Sequence, residues 1–371
     1  GGEHGRRQME PDHEQEVDDE LADKEAIDES ADELDLIGMS TPYDQRTGIE
    51  IPCDLAQAGR QTEIEKMKLH GVFEAVPPEK LRGKKIAVKW VEEIRKKGDG
   101  TTFARCRLVG KEIAYYARDD VNAGMPPLSV IRLIISMAAT TRRMGSRARK
   151  IALHDAEVAF LHASLDEWIC IPRPPAGTAP AGWGWQLWKA LYGTRRASQL
   201  WAEYIAAMFL AANFFRSSII PGMYFKKDPE LVCVVHGDAF ATVGDDEALD
   251  HLDEVLQGSI MIKRLGRVGP GGARSGLYLK RRIEWRGDRF VYYANPKHSQ
   301  DIVKILGLED AKGQETPGSK ATGASVAEES KPLNESEGRL VSSAIGISPW
   351  AGLRSSTPRS ALRRTSGSPR S

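Results

Sequence analysis

The sequence predicts an α+β fold in which an antiparallel sheet is backed by helices. Two β-rich regions, 84–109 and 231–243, are each interrupted by a tight polar turn, which is the pattern of an antiparallel hairpin. Two other segments, 127–140 and 198–215, carry apolar residues at helical spacing. Because strands and helices occur in mixed order, we expect the helices to lie on one side of the sheet.

The N-terminal region is predicted to form an acidic disordered segment and a linker, residues 1–62. Its first 36 residues hold fifteen Asp and Glu against three basic residues, and they contain almost no aromatics. Such a segment cannot bury enough apolar surface to offset the entropy lost on ordering. A short helix over residues 63–69 is expected to begin the folded domain.

The elements of the first half follow in order from local patterns. Residues 84–93 alternate apolar and polar side chains, Asp99-Gly100 supplies a turn, and 101–109 form the second strand of the hairpin. Residues 127–140 follow a proline and are predicted to form a helix. A basic loop, 142–150, then leads into a strand over 151–153.

The second half begins with the Ala- and Leu-rich helix 198–215, whose aromatic residues Trp201, Tyr204 and Phe209 are expected in the core. Two apolar strands then flank a tight polar turn that contains Asp238. The remaining predicted elements are a helix over 246–256, a hairpin of strands 277–285 and 289–293, and a helix over 298–306.

Charge and cysteine content restrict the class of protein. From residue 81 to 150 there are seventeen Lys and Arg against six Asp and Glu, which suits either a polyanionic partner or a solvated basic surface. The four cysteines form no C-x-x-C pair, so neither a zinc knuckle nor a disulfide framework is indicated. Since no apolar run approaches the roughly twenty residues of a bilayer span, no membrane association is expected.

Two aspartates, Asp155 and Asp238, stand at predicted strand edges. An aspartate at such a position commonly forms a turn. The alternative is that the pair holds two Mg²⁺ ions for nucleotidyl transfer, because carboxylate oxygens are preferred Mg²⁺ ligands and two-metal sites stabilise in-line displacement at phosphorus.

The order of several motifs decides between these alternatives. Between about residues 63 and 346 the chain resembles the reverse transcriptases of copia-type retrotransposons. The matching segments are GVFEAV at 71–76, GKKIAVKW at 83–90, ARCRLVGK at 104–111, the stretch 126–139, LHDAEVAFL at 153–161, LWKALYG at 187–193 and IKRLG at 262–266. The resemblance implies an RNA-directed DNA polymerase domain over 63–312, with fingers at about 71–150 and a palm at about 151–312.

By this resemblance Asp155 and Asp238 are the catalytic aspartates and the ligands of Mg²⁺, with Mn²⁺ possible. The implied substrates are an RNA template, a DNA primer and deoxynucleoside triphosphates. Phe160 is implied to close over the sugar and exclude a 2′-hydroxyl, although it could equally be an apolar core residue. Cationic contacts to nucleotide or template are implied for Arg105, Arg107, Lys111 and Lys263, although solvated hairpin charges give the same pattern.

The chain departs from the family pattern at three places. Ala239 stands where the family has the second aspartate of its catalytic turn, and Arg196 stands where it has a glutamine, which puts the implied substrate contact of that residue in question. Beyond Lys312 the chain becomes rich in Gly, Ser and Glu, and after SSAIG at 342–346 the family motif breaks off, so 313–371 is predicted to be a degenerate low-complexity tail. The ribonuclease H and integrase parts of a Pol polyprotein are not expected in this chain.

Three functions remain open from the sequence. The first is an RNA-directed DNA polymerase, weakened by Ala239, with a cytoplasmic particle and a nuclear phase as its expected locations. The second is a catalytically inactive nucleic-acid-binding remnant or repurposed protein. The third is an interaction protein that acts through its acidic N-terminus, which predicts no salt-dependent binding of nucleic acid.

Overall fold

The computed structural model describes residues 41–112, 124–140 and 147–311. The chain divides into two units, one of Gly1–Gly276 with Trp285–Phe290, and one of Leu277–Glu284 with Val291–Ser371. The predicted disordered segment up to residue 40, the tail from 313 and most of the basic loop lie outside the described residues. Within them, no helix has the length and apolarity needed to cross a membrane.

The described residues form five α-helices and fifteen strands, together with short 3₁₀ turns. The helices are α1 Cys53–Leu69, α2 Val130–Ala139, α3 Ala197–Ala211, α4 Asp246–Gln257 and α5 Pro296–Ile305. The strands are β1 Phe73–Val76, β2 Lys84–Lys85, β3 Ala87–Lys96, β4 Thr102–Lys111, β5 Lys150–Ala156, β6 Ile169–Ile171, β7 Gly184–Leu187, β8 Phe215–Arg216, β9 Met223–Lys226, β10 Leu231–His236, β11 Ala239–Gly244, β12 Ile262–Val268, β13 Ser275–Tyr278, β14 Arg281–Trp285 and β15 Phe290–Tyr292.

A six-stranded sheet with the order β12-β5-β11-β10-β9-β8 is the largest sheet of the described chain. All its pairings are antiparallel. Apolar side chains of α3 and α4, among them Phe209 and Leu252, pack with Cys233 and Phe240 of the sheet in one buried cluster. The predicted α+β class, a sheet backed by helices, is therefore confirmed.

The predicted hairpin of the first half is also confirmed, as β3 pairs antiparallel with β4. It forms a two-stranded sheet separate from a four-stranded sheet of order β1-β7-β6-β2. Helix α1 packs against β4, and the two elements share a second buried cluster that includes Ile64, Met67 and Leu108.

Helix α1 begins at Cys53, ten residues before the start predicted from the sequence. Residues 53–62, which were predicted to form a linker, are thus helical, and the prediction was wrong for them. Ile51 and Ala56 are buried in the second cluster. The side chain of Asp44 accepts hydrogen bonds from the backbone N–H groups of Arg46, Thr47 and Ile94, which attaches the preceding turn to β3.

We predict that Gly59→Ala destabilises the protein. A Cβ at Gly59 would lie 2.5 Å from the carbonyl oxygen of Ala104 and 2.6 Å from Sγ of Cys106, because α1 approaches β4 closely at this point. Overpacking of this kind costs ~1–3 kcal/mol, whereas alanine gains at most about 1 kcal/mol over glycine in a helix. Urea unfolding should show a lower midpoint for Gly59→Ala. Gln57→Ala, on the exposed side of α1, is the control and should leave the midpoint unchanged.

Strands β13, β14 and β15 form a small sheet. The segment 277–285 was predicted as one strand, but Leu279 and Lys280 adopt left-handed backbone conformations, with φ of 49° and 61°. The chain therefore turns between β13 and β14, and that prediction was wrong. In α5, the side chain of Asn295 accepts a hydrogen bond from the backbone N–H of Lys297 and caps the helix.

Candidate active site

The two predicted catalytic aspartates lie on adjoining parts of the six-stranded sheet. Asp155 is the penultimate residue of β5, and Asp238 is in the turn that joins β10 to β11. The backbone N–H of Ala156 donates to the carbonyl oxygen of Asp238 over 2.8 Å. The turn therefore lies directly beside the end of β5, and the structure brings the two aspartates together.

The strand register determines the neighbours of Asp155. In the register of the sheet, Ala239 of β11 is its partner on one side, and Lys263 of β12 is its partner on the other. Residues directly opposite each other in an antiparallel sheet project from the same face. Asp155 therefore shares its face with one cation and with the methyl group of Ala239.

The turn that carries Asp238 is held by a side chain from α3. Gly237 has φ of +65°, a conformation that favours glycine, and its carbonyl oxygen accepts a 2.8 Å hydrogen bond from Nε1 of Trp201. Trp201 is buried, as the sequence predicted. Its contact with the turn was not predicted, since only the tertiary fold brings α3 to this point.

The face of the sheet opposite Asp155 is fixed by a buried charged network. The Nε2 atom of His154 lies 2.7 Å from Oδ1 of Asp253 on α4, and both residues are buried. The other oxygen of Asp253 accepts a hydrogen bond from Arg267 of β12. Burial lowers the pKa of His154, although Asp253 opposes that shift. This network connects β5 and β12 to the helix behind them.

Electrostatics around Asp155 favour binding of a cation. Burial raises the pKa of this carboxyl, and the negative charge of Asp238 raises it further, while Lys263 and Arg105 act in the opposite direction. A bound divalent cation would relieve this repulsion. Mg²⁺ typically takes one or two carboxylates and completes its shell with water and substrate phosphates. The two aspartates fit that requirement, and the described residues contain no cluster of three or more His, Cys, Asp or Glu that would make a closed metal site.

A cleft of about 950 Å³ opens above the aspartates. Six of the residues singled out from the sequence line it: Asp155, Asp238, Phe160, Arg105, Arg107 and Lys263. Lys111 and Arg196 are not among its lining residues in the described chain, and Arg196 forms an ion pair with Asp166 instead. The structure therefore gives no support for direct substrate contacts by these two residues.

An aromatic group forms one wall of the cleft. The rings of Phe160 and Tyr192 have centroids 5.1 Å apart, and the guanidinium carbon of Arg107 lies 5.3 Å from the Tyr192 ring centroid. Burial raises the pKa of Tyr192 to about 12, so its hydroxyl is protonated at neutral pH. Tyr192 was missed as a site residue, although it lies in the LYG segment that carries part of the family resemblance.

Helix α1 contributes a further wall of the cleft, which was not predicted from the sequence. Glu63 and Lys66 both line the cleft. Glu63 is 6% exposed, and its Oε1 atom has no hydrogen-bond partner among the described residues. Burial raises the pKa of Glu63, while Lys66, Arg107 and Arg105 partly offset the shift. A buried glutamate cannot be identified from sequence before the packing of its helix is known.

We predict that Glu63→Gln stabilises the protein at neutral pH. The pKa of Glu63 is higher in the folded state than in the unfolded state, so its ionised form opposes folding above the folded pKa. This cost disappears as the pH falls below the ordinary value for glutamate. Thermal melting should therefore show a higher Tm for the variant at pH 8 and a shrinking difference toward pH 4. Glu65→Gln, exposed on the same helix, should show no such trend.

Comparisons with known proteins identify the family of this chain. The family described as "Reverse transcriptase (RNA-dependent DNA polymerase)" matches residues 72–270, more than half of the chain and the whole of the aspartate-bearing sheet between β5 and β12. A putative transposon Ty5-1 protein of Saccharomyces cerevisiae is 27% identical over 119 residues, which is 31% of this chain and 39% of that protein. The chain thus aligns with less than half the length of this curated relative.

Among solved structures, telomerase from Candida albicans in complex with a TWJ fragment of telomeric RNA matches with a TM-score of 0.41 and 9% identity, over 70% of this chain and 53% of the other. The family match by itself covers enough of the sequence to assign the chain to a family. It confirms the resemblance carried by the ordered motifs: the chain belongs to the reverse transcriptase (RNA-dependent DNA polymerase) family, in its copia-type branch.

Proposed function

We propose that this chain is the polymerase domain of a retrotransposon and extends a DNA primer on an RNA template. The observation that carries the proposal is the meeting of Asp155 and Asp238 at the floor of a cleft whose other walls bear cations. Phosphoryl transfer requires this combination, because charge must be stabilised on the phosphate while the attacking oxygen is positioned.

In this proposal Asp155 and Asp238 hold Mg²⁺, or Mn²⁺ in its place. When bound, the metal supplies Lewis-acid stabilisation of the reacting phosphate and lowers the pKa of the primer hydroxyl. The protein contributes the two carboxylates, and Trp201 keeps Asp238 in position through its bond to Gly237. The remaining metal ligands are expected from water and the triphosphate.

The cations of the cleft are proposed to bind the deoxynucleoside triphosphate and the template backbone. Arg105 and Arg107 project from β4, and Lys263 lies opposite Asp155 on β12, so phosphates at the aspartates have positive charge on two sides. Phe160, in contact with Tyr192, is proposed to pack against the sugar and to exclude a 2′-hydroxyl. Lys111 and Arg196 are left out of this set because they do not line the cleft.

A second candidate function is nucleic-acid binding without chemistry. Ala239 favours it, because its position opposite Asp155 leaves the site with one carboxylate fewer than the family pattern implies. Both functions predict binding of nucleic acid that weakens steeply with salt, since basic side chains that neutralise phosphates release counterions. An interaction protein that acts only through the acidic N-terminus predicts no such dependence.

Primer extension on an RNA template, measured in Mg²⁺ and in Mn²⁺, tests the proposal. The unaltered chain should extend the primer in at least one metal, and Asp238→Ala should abolish extension without changing primer–template affinity by more than about tenfold. Asp288→Ala removes an exposed aspartate that does not line the cleft, and it should leave primer extension unchanged. Salt-dependent binding with no extension in either metal would establish the binding function instead.

A further inference from the structure

We propose that Trp168, Trp188 and Arg82 form a second nucleic-acid-binding surface, which stacks the bases of a single strand. This set, the tryptophan patch, lies apart from the residues that line the catalytic cleft. It extends the proposed function, on which it rests, from the reacting end of the substrate to an unpaired part of the same polymer.

The two indoles are adjacent because of the strand register. Cys170 of β6 is the partner of Gln186 in β7, so Trp168 and Trp188 face each other just beyond the ends of these strands. Their ring centroids are 5.5 Å apart in an edge-to-face arrangement. Each remains largely accessible, with exposed fractions of 49% and 42%. Two tryptophans in mutual contact at the surface leave a broad apolar area that the fold itself does not cover.

The backbone holds this pair in place. The N–H of Lys84 donates to the carbonyl oxygen of Trp168 over 2.9 Å, and the N–H of Trp188 donates to the carbonyl oxygen of Val72 over 2.8 Å. The rings are therefore presented from the ends of two paired strands rather than from a long loop. A rigid aromatic surface loses little conformational entropy when a base stacks on it.

The charge beside the indoles identifies the chemistry of the partner. The guanidinium carbon of Arg82 lies 5.7 Å from the centroid of the Trp168 ring. The segment 80–85 carries four exposed basic residues, Lys80, Arg82, Lys84 and Lys85, and no acidic residue. The Nζ atom of Lys84 is paired with the buried carboxylate of Glu112 at 3.1 Å, which leaves three of these cations for a partner. Three acidic residues adjoin these groups in the sequence, Glu79, Asp166 and Glu167. Asp166 is engaged by Arg196, and Glu167 is half-buried. Aromatic faces next to a row of cations match a polymer of bases and phosphates.

The test uses a labelled single-stranded oligonucleotide of roughly twelve bases, long enough for one binding surface of this type. Affinity is measured by fluorescence anisotropy, and a 5-bromouracil version is photocrosslinked and its contact residues are mapped by mass spectrometry. Trp168→Ala combined with Trp188→Ala should weaken binding at least about tenfold, and Trp168→Phe should weaken it by less than about threefold because a ring is retained. Crosslinks should fall on Trp168 or Trp188.

Trp183→Ala is the matched control, since Trp183 is also exposed, at 37%, but lies before the opposite end of β7. It should leave affinity within about twofold of the unaltered chain. A variant with both Arg105→Ala and Arg107→Ala distinguishes failure of this proposal from failure of the polymerase proposal. It should lose nucleic-acid binding in the cleft but keep the crosslinks at the tryptophan patch. Unchanged affinity of the double tryptophan variant, or crosslinks confined to cleft residues, would overturn the proposal. Loss of self-association by that variant, with oligonucleotide binding intact, would assign the patch to a protein contact instead.

Discussion

Replacing Ala239 by aspartate is expected to raise the rate of primer extension at least about a hundredfold, equivalent to ~2.7 kcal/mol of activation free energy. The sheet register provides the reason. Ala239 is the partner of Asp155 in neighbouring strands, so a carboxylate at 239 would project from the same face as Asp155. Together with Asp238 it would give the site three carboxylates, and a site with more negative charge binds divalent cations more strongly.

Three further variants make this prediction specific. Ala239→Asn has nearly the same shape as aspartate without its charge and should give no gain. Ala239→Asp combined with Asp238→Ala should lose the gain, because the added carboxylate acts with the existing pair. Thermal melting supplies a measurement that is independent of turnover: Mg²⁺ should raise the Tm of Ala239→Asp more than that of the unaltered chain, since a ligand that binds only the folded state stabilises it. Equal rates for the Asp and Asn variants would contradict the prediction.

Ala239→Asp is also expected to lower the stability of the folded protein when no metal is bound. Position 239 is 9% exposed, and a carboxylate there would lie close to two others. Burial and like charge already raise the pKa of Asp155, and a third carboxylate would raise it further. The metal-free variant should therefore melt at a lower temperature than the unaltered chain at pH 8, and the difference should narrow as the pH falls and the carboxyls take up protons.

The parts of the site that depend on local sequence could be predicted. Strands β10 and β11 are short apolar runs on either side of a polar turn, so the position of Asp238 followed from residues next to it. The β3–β4 hairpin and helices α2, α3 and α4 were predictable for the same reason, since turn residues and periodicity are properties of a short window.

What depends on contacts between distant segments could not be predicted. The sequence does not show that β5 lies between β11 and β12, which determines that Lys263 is a neighbour of Asp155. Nor does it show that α1 begins at Cys53, because Pro52, Gly59 and scattered polar residues resemble a linker until β4 is packed against them. The same contact buries Glu63 and makes it a wall of the cleft. The left-handed pair Leu279-Lys280 contains no glycine and gave no turn signal.

Phe209→Ala is expected to lower the free energy of unfolding by ~3–5 kcal/mol, the usual cost of deleting a large aromatic side chain from a core. Phe209 is fully buried on α3. Its ring stacks on Tyr224 with centroids 4.5 Å apart and meets Phe214 edge-to-face at 4.9 Å, while Phe240 of β11 lies 6.5 Å away. The cavity left by alanine would thus border two strands of the sheet that carries the aspartates.

The next residue of the helix gives the matched comparison. Leu210 is 53% exposed, so Leu210→Ala should cost less than about 1 kcal/mol. Urea denaturation followed by circular dichroism should show a much lower midpoint for Phe209→Ala and nearly the same midpoint for Leu210→Ala. Helix α3 also supplies Trp201, whose indole donates a hydrogen bond to Gly237 in the turn that carries Asp238. Because Phe209→Ala loosens this helix, it should also reduce the increase in Tm that Mg²⁺ produces. Similar midpoints for the two variants would show that α3 does not pack on the sheet in solution as described, and the position assigned to the catalytic turn would lose its main support.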